Sequence, residues 1–307
     1  MTAILIVNYN KYEDTIACVA SILKSETTEQ YKIVVIDNAS SNDSLEKLQI
    51  LKENEKVVLL TAEENKGYCA GNNVGIKYAL ENLNPDFIWI LNPDTLVEKD
   101  ALQKLHDFAA KKDDLGILGN KLVYYPDIQY MQGLGGSDIS IQKGGKFAPG
   151  RHFYHMYPSN TVLPEMISVD LIIGASMYIP ANVFKTIGLM DERFHLYEDE
   201  TEFCCRAEKF GFKNYAISSA TVYHKEGWRQ PPQKQMAVYY TARNLLILTK
   251  LHFPKYIVRN VFFTLFSRQL VSYIIHGKWT EARFLLKGVK DFFAGIEGKV
   301  VLNGERQ

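Results

Sequence analysis

Short apolar runs, each followed by polar or turn-forming residues, recur along the first 125 positions. Three of them, at residues 3–7, 31–36 and 57–60, predict buried strands. Helical apolar spacing at 13–23, and capping residues at 41–43 ahead of a further helical segment, predict the helices between them. Strands that alternate with helices in this way indicate an α/β fold with a parallel sheet and right-handed crossovers.

A fourth apolar run, at residues 87–91, ends abruptly in Asn92-Pro93-Asp94. A short run closed by a turn signal is typical of a buried strand, and proline ends it because it cannot donate to the ladder. Asp94 is then expected at the carboxyl edge of the sheet, where open α/β sheets bind ligands. A carboxylate there can hold a divalent cation. The alternative is that the tripeptide is an ordinary turn.

A glycine-rich stretch precedes that strand. Gly67, Gly71 and Gly75 recur every four residues at the start of a predicted helix. Small residues at this spacing allow close packing of the helix against another backbone. A helix N-terminus flanked by Asn and Lys also suits a phosphate group. Both interpretations stay open from the spacing alone.

Beyond residue 125 the pattern becomes irregular and then acidic. Residues 126–164 are rich in glycine and aromatic side chains, which predicts a functional loop or lid. Further strands are predicted within 167–179 and at 214–222, and helices at 181–187 and 201–210. Acidic residues gather just before the second helix, where they either stabilise its N-terminus or serve catalysis. They are Asp191, Glu192, Glu198, Asp199 and Glu200.

Charge balance, cysteine usage and the length of the apolar runs restrict the functional classes that fit this sequence. Lys and Arg together number 35, as do Asp and Glu, so the overall charge predicts no nucleic-acid partner. The four cysteines lack metal-ligand spacing and are expected to be reduced core thiols of a cytoplasmic protein. The sequence also shows no signal peptide and no apolar run long enough for a spanning helix.

The C-terminal region has a different character. Residues 250–299 contain nine Lys or Arg against three Asp or Glu, among dense apolar residues. Arg259 and Arg268 lie inside the apolar run, which argues against a membrane span. The pattern predicts one or two basic amphipathic helices. These either lie on anionic lipid at the cytoplasmic membrane face or pack on protein, namely the catalytic domain or a second subunit in a homodimer.

Six motifs in this order resemble glycosyltransferase family 2, which has the GT-A fold, and within it the bacterial rhamnosyltransferase-like branch. The similarity runs from residue 3 to about residue 243. The motifs are Val-Asn-Tyr-Asn (7–10), Val-Ile-Asp-Asn-Ala-Ser (35–40), Asn-Lys-Gly-Tyr-Cys-Ala-Gly-Asn-Asn-Val-Gly (65–75), Leu-Asn-Pro-Asp (91–94), Tyr-Glu-Asp-Glu-Thr-Glu-Phe-Cys-Cys-Arg (197–206) and His224.

The resemblance implies a Rossmann-like, mainly parallel central sheet flanked by helices, with a C-terminal helical extension. Residues 1–228 would form the catalytic domain. Its first half, 1–125, would bind the nucleotide-sugar, and its second half, 126–228, would bind the acceptor and carry the loop insert. Residues 229–307 would form the amphipathic helical region.

The resemblance also implies site roles. Asp94 would be the main ligand of Mg²⁺ or Mn²⁺ and His224 a further one. Asn92 replaces the first acid of the family's Asp-x-Asp motif, which puts the ribose contact and the strength of metal binding in doubt. The residues implied to bind the nucleotide-sugar are Asn8, Asp37, Asn65, Lys66, Gly67, Asn73, Asn92 and Arg243.

The implied reaction is an inverting, metal-dependent sugar transfer. A carboxylate would remove the proton of the acceptor hydroxyl, and the family's spacing from Arg206 selects Glu200, whereas the letters Glu-Asp select Asp199. The implied donor is a dTDP- or UDP-sugar, foremost dTDP-rhamnose. The implied acceptor is a lipid-linked or polysaccharide glycan of the bacterial surface. The alternative is a non-catalytic protein of the same fold that binds nucleotide-sugars or glycans.

Overall fold

The apolar runs form strands of one large mixed sheet and of two small two-stranded sheets. The computed structural model describes residues 1–142, 146–149, 152–225 and 234–302. The strands are β1 Thr2–Asn8, β2 Tyr31–Asp37, β3 Val57–Thr61, β4 Phe87–Leu91, β5 Thr95–Val97, β6 Leu115–Tyr124, β7 Met131–Leu134, β8 Gly136–Ser137, β9 Ile139–Gln142, β10 Lys146–Pro149, β11 Met166–Ser168, β12 Leu171–Ile172, β13 Ser176–Pro180 and β14 Lys213–His224.

Helices flank the sheet and make up most of the C-terminal region. They are α1 Tyr12–Ile22, α2 Ser44–Lys47, α3 Tyr68–Tyr78, α4 Ala101–Ala109, α5 Ala181–Ile187, α6 Asp199–Lys209, α7 Lys234–His252, α8 Lys255–Thr264, α9 Val271–Ile275 and α10 Trp279–Phe293. A 3₁₀ segment, Leu48–Glu53, and two π segments, Ala79–Leu83 and Leu265–Leu270, extend α2, α3 and α8. Within the described ranges, no helix combines the length and the apolar character needed to cross a membrane.

The main sheet has the order β11-β14-β6-β13-β4-β1-β2-β3. β3, β2, β1 and β4 are parallel, as their alternation with helices predicts. β13 and β11 run antiparallel to their neighbours, so the second half of the sheet is mixed. The predicted α/β class is confirmed, with a sheet that is parallel from β3 to β4 and mixed beyond β4. β4 is central, between β1 and β13, and its residues from Ile88 to Leu91 are buried.

The predicted loop insert contains more regular structure than its composition indicates. β7 pairs with β6 at the main sheet, and β8 pairs with β12. The glycines interrupt the apolar pattern, yet pairing with strands elsewhere in the chain stabilises these short segments. The predicted domain boundary at residue 228 lies outside the described residues.

The C-terminal helices pack on the sheet through one apolar core. This core joins Leu5 of β1 to Leu246 of α7, Ile257 of α8 and Leu285 of α10, all of them fully buried. Burial of a leucine or isoleucine side chain contributes roughly 1.5–3 kcal/mol. Packing on the sheet, within the same chain, therefore accounts for the buried face of this basic region.

Candidate functional site

The carboxyl ends of β1 and β2 bring Asn8 and Asp37 together. The two residues are register partners, and both are almost fully buried. Asn8 Nδ2 donates to Asp37 Oδ1 (2.8 Å) and to Ser40 Oγ (3.1 Å), while Asn8 Oδ1 accepts from Thr15 Oγ1 (2.8 Å). Ser40 also donates its backbone N–H to Asp37 Oδ2 (3.0 Å). Because every polar atom of the Asn8 side chain is bonded, this residue fixes the orientation of Asp37.

The glycine-rich stretch forms a tight turn ahead of α3. Asn65 Oδ1 accepts from the Gly67 N–H (2.9 Å) and from Asn38 Nδ2 (3.2 Å). Gly67 has a φ of +108°, and a Cβ there would lie 2.3 Å from His195 Nδ1. Only glycine fits this conformation without strain. The same ring nitrogen lies 3.0 Å from the Lys66 carbonyl oxygen, so the turn is held against the segment that leads to the acidic residues.

Two other residues of this stretch differ in their surroundings, one exposed to solvent and the other buried in α3. The Lys66 ammonium is exposed and pairs with Glu64 at 2.9 Å, a surface ion pair of little energetic weight. Asn73 is buried in α3, where Nδ2 donates to the Met190 carbonyl and to Glu192 Oε1, both at 2.9 Å. Its Oδ1 accepts from the Met190 N–H (3.0 Å). Asn73 therefore anchors the 190–192 turn, and its predicted contact with the nucleotide-sugar stays a prediction.

Asp94 and His224 meet at the same edge of the sheet. β14 pairs with β5 so that His224 is opposite Thr95, and the Lys225 N–H donates to the Asp94 carbonyl (2.8 Å). His224 Nε2 lies 3.3 Å from Asp94 Oδ1, and the imidazole is buried. Burial favours a higher pKa for Asp94, but the hydrogen bond and charge of His224 outweigh it and lower the pKa. The carboxylate is therefore ionised at neutral pH.

These two donors fit a divalent cation. Carboxylate oxygen and imidazole nitrogen are both ligands of Mn²⁺-type metals, and Mg²⁺ commonly takes one or two carboxylates together with substrate phosphates. Across the described parts of the chain, no group of three or more His, Cys, Asp or Glu is placed to hold a metal. A cation at Asp94 and His224 would therefore complete its coordination with phosphate oxygens and water.

A chain of contacts joins the end of β4 to the acidic residues. The Asn92 N–H donates to the Ala175 carbonyl (3.0 Å), which belongs to the turn between β12 and β13. The neighbouring Gly174 lies against the side chain of Glu200, whose Cβ, Cγ and Cδ would be 3.6–3.7 Å from an added Cβ. Tyr68 at the start of α3 donates its hydroxyl to the Gly174 carbonyl (3.0 Å). One turn therefore contacts both the Asn92 backbone and Glu200.

The acidic residues start α6 from a strained backbone. Tyr197 and Glu198 have φ values of 65° and 64°, a left-handed conformation that such side chains rarely adopt. Consecutive strained residues are typical of functional sites. Asn244 of α7 supports this segment, because its Nδ2 donates to the carbonyls of Leu196 (2.8 Å) and Tyr197 (2.9 Å).

Burial and the charges of neighbouring carboxylates raise the pKa values of Glu198 and Asp199. Burial, followed by the charge of Glu200, raises the pKa of Glu198 to about 7, against a weaker lowering by Thr201. Burial also raises the pKa of Asp199, although hydrogen bonds with Glu200, its own N–H and the Cys69 thiol oppose the rise. Asp199 is 5% exposed, whereas Glu200 is half-buried. A proton shared within this group suits general acid–base chemistry.

Arg243 is fully buried in α7. Its guanidinium carbon lies 4.9 Å from the centre of the Tyr240 ring, and Nη1 donates to the Gly298 carbonyl (2.8 Å). Nη2 is also buried, and among the described residues it has no hydrogen-bond partner. The hydrogen bond to the Gly298 carbonyl joins α7 to the segment that follows α10. Its predicted contact with the nucleotide-sugar remains a prediction.

The structure adds residues that sequence reasoning missed. Gln132 of β7 bonds the buried imidazole of His224, His195 holds the Gly67 turn, and Asn244 holds the segment before Glu198. Asn244 directly follows Arg243, which the sequence already indicated for the site, and this adjacency was a usable signal. Gln132 lies in the irregular insert, where the hydrophobic pattern indicated no strand.

This chain matches the model of a known protein family, and it also aligns with characterised relatives over nearly its entire length. The family described as glycosyl transferase family 2 matches residues 3–167. The low-salt glycan biosynthesis hexosyltransferase Agl10 of Haloferax volcanii is 27% identical over 301 residues, which cover 95% of this chain and 87% of that protein. The dTDP-rhamnosyl transferase RfbF of Shigella flexneri is 24% identical over 310 residues, 96% of this chain and 95% of that protein.

Among solved structures, GalNAc-T7 with UDP, GalNAc and Mn²⁺ is similar to this chain. The TM-score is 0.61 at 17% identity, and the match covers 87% of this chain and 57% of that one. At this identity the likeness shows the fold alone, which is of the GT-A type.

Proposed function

The chain belongs to glycosyl transferase family 2, and we propose that it transfers a hexose, foremost rhamnose from dTDP-rhamnose, to a hydroxyl group of a surface glycan with inversion. The observation that carries this proposal is the juxtaposition of Asp94 with His224 at the edge of the sheet, linked through Asn92 and the 174–175 turn to Glu200. A cation donor set and a carboxylate base are the two groups that this reaction needs.

The proposed reaction is a direct displacement. The acceptor oxygen attacks the anomeric carbon opposite the diphosphate, the bond from that carbon to the diphosphate oxygen breaks with its electron pair, and the hydroxyl proton passes to a carboxylate. Asp94 and His224 would hold a divalent cation, Mg²⁺ or Mn²⁺, and that cation would supply positive charge beside the leaving diphosphate. Glu200 is the proposed base because it is more exposed than Asp199, which the Cys69 thiol and its own N–H already engage.

The donor pocket is proposed to lie at the carboxyl ends of β1 and β2. Asp37, held by Asn8, would face the nucleoside, and the 65–67 turn would lie near the diphosphate. The relatives named as a hexosyltransferase and a dTDP-rhamnosyl transferase support a hexosyl donor. Agl10, whose name places it in low-salt glycan biosynthesis, supports a glycan acceptor.

An exposed apolar tip supports action at a membrane surface. The tip is the turn between α9 and α10 together with its flanking residues. Ile274, Ile275 and Trp279 are 42%, 74% and 65% exposed, and Lys278 among them is also exposed. Apolar side chains next to cations suit the headgroup region of an anionic bilayer. We propose that the tip brings the active site to a lipid-linked acceptor.

Donor binding tests the proposal first. Calorimetry would compare dTDP-rhamnose with UDP- and GDP-sugars, with and without Mn²⁺. We expect metal-dependent binding of one donor, lost in Asp94→Ala and kept in Asp107→Ala, which removes an exposed carboxylate of α4. Failure of every donor to bind the folded protein would overturn the site assignment.

Turnover separates an enzyme from a binding protein. Glu200→Gln is expected to keep donor binding and to lose about 10²–10⁴-fold in transfer rate, the usual contribution of a general base. A comparable loss in Asp199→Asn with little effect of Glu200→Gln would move the base to Asp199. A wild-type protein that binds the donor without transfer to any glycan acceptor would favour the non-catalytic alternative.

Sedimentation with lipid vesicles tests the tip. Trp279→Ser should weaken binding to vesicles that contain phosphatidylglycerol and leave the weak binding to phosphatidylcholine unchanged. Val162→Ser is the control, because Val162 is 95% exposed outside the C-terminal region. Equal sedimentation with both lipids, or an equal effect of the two variants, would contradict membrane docking through the tip.

A further inference from the structure

We infer that Gln132 is a positioning residue that directs the Nε2 lone pair of His224 toward the cation site at Asp94. This inference rests on the proposed function of that site. Gln132 Oε1 lies 2.8 Å from His224 Nδ1, and both side chains are buried. On the other side of the ring, Nε2 lies 3.3 Å from Asp94 Oδ1. The imidazole is therefore held between an amide oxygen and the candidate metal carboxylate.

The amide oxygen selects the ring tautomer. An amide oxygen can only accept a hydrogen bond, so Nδ1 must carry the proton that Oε1 receives. A cation that took the place of the Nε2 hydrogen bond to Asp94 would leave the one proton of the neutral imidazole on Nδ1. Nε2 would then supply the lone pair that a metal ligand needs. Histidine ligands commonly donate their second nitrogen to such an acceptor, which fixes the ring and its basicity. A neutral amide does this without adding charge beside Asp94.

A β-bulge aims Gln132 at this ring. β7 pairs with β6 so that Gly133 is opposite Leu122 and Met131 is opposite Val123, which leaves Gln132 as the extra residue. Bulges of this kind re-aim a side chain and are common beside active sites. β6 in turn pairs with β14, where Tyr124 is the partner of His224. The three strands β7, β6 and β14 thus carry Gln132 and His224 to one position at the sheet edge.

The insert also holds the bulge in place. The Gln132 carbonyl lies 3.0 Å from His155 Nδ1, and a carbonyl can only accept, so His155 donates to it. The Met131 N–H donates to the Tyr157 carbonyl (2.9 Å), and the Met156 N–H donates to the Met131 carbonyl (2.9 Å). Residues 155–157 therefore fix β7 on its outer side. The insert therefore supports the proposed cation site through Gln132 and its contact with His224.

Mn²⁺ binding in the presence of dTDP, and separately of UDP, tests the inference without turnover. In Gln132→Met, which keeps the side-chain length and removes the acceptor, we expect the Kd for Mn²⁺ to rise about 10–100-fold. The electron spin-echo signal of a directly bound imidazole nitrogen should disappear. Gln132→Glu keeps an acceptor oxygen and should restore that nitrogen signal, which a purely structural role for the side chain would not predict.

The outcomes separate this inference from the proposed function. Tight Mn²⁺ binding by the wild type without a nitrogen signal would exclude His224 as a ligand and overturn the inference, while Asp94 would remain a ligand. An unchanged Kd and nitrogen signal in Gln132→Met would overturn the role of Gln132 alone. Wild-type protein that binds no Mn²⁺ with either nucleotide would overturn both. Thermal unfolding of each variant checks that it is folded.

Discussion

Glu198 offers a test of how far a raised carboxyl pKa lowers the stability of the folded protein. Its carboxyl group is held in a left-handed residue at the start of α6, where burial and the charge of Glu200 raise the pKa to about 7 from an ordinary 4.5. Glu198→Gln replaces the carboxyl by a neutral group of the same shape. The variant thus removes the cost of ionising a partly buried acid and keeps the backbone strain unchanged.

The expected gain depends on pH. Below pH 4.5 the folded and the unfolded chain both hold the proton, and the two proteins differ little. As the pH rises from 4.5 through 7, the unfolded chain releases the proton first, so the wild type loses stability relative to the variant. The difference between the two pKa values corresponds to about 3 kcal/mol at pH 8, and to less than about 1 kcal/mol at pH 5.

Equilibrium urea unfolding at pH 5 and pH 8 would measure this effect. The free energy of unfolding of Glu198→Gln, relative to wild type, should be larger by about 2 kcal/mol at pH 8 than at pH 5. Glu55→Gln, at an exposed position, is the control and should show no such difference. An equal effect of Glu198→Gln at the two pH values would refute the raised pKa as the source of instability.

Two further substitutions test the scaffold around the site. Gly67→Ala should lower the free energy of unfolding by at least about 3 kcal/mol, since its Cβ would meet the His195 ring. Gly211→Ala, with φ +89° and open space around it, should lower the free energy of unfolding by about 1–2 kcal/mol. Equal losses in melting temperature would contradict the close contact at Gly67. Arg206→Leu should lower the free energy of unfolding in urea by about 3 kcal/mol, because the buried Glu202 carboxylate loses the guanidinium at 2.8 Å and keeps the His252 contact at 3.1 Å. A decrease below about 1 kcal/mol would contradict this reasoning.

Much of the fold could be predicted because hydrophobic pattern and backbone pairing agree. The continuous apolar runs of β1, β2 and β4 are buried on both faces, and the helices between them leave a parallel arrangement as the simple solution. The direction of β13 could not be predicted in the same way. A strand buried on both faces has the same composition whether it runs parallel or antiparallel to its neighbour.

The site could be predicted in part, for a related reason. Asp94 and Asp37 follow strong strand signals, so their place at the sheet edge comes from local sequence. Gln132 contacts His224 across 92 positions of sequence and from a strand of only four residues, which no local pattern reveals. The choice between Glu200 and Asp199 depends on side-chain exposure and on the Cys69 contact, and neither is visible in the spacing of the acids.

Asn244 has a consequence for protein engineering. A side chain of α7 holds the two carbonyls that precede Glu198, so part of the support for the acidic segment is encoded more than forty positions beyond it. A chimera that takes its C-terminal helices from a relative would keep the acidic motif and still lose its geometry, unless this asparagine and its spacing were transferred as well. Truncated or domain-swapped versions should therefore retain residues from α7 onward together with the segment they support.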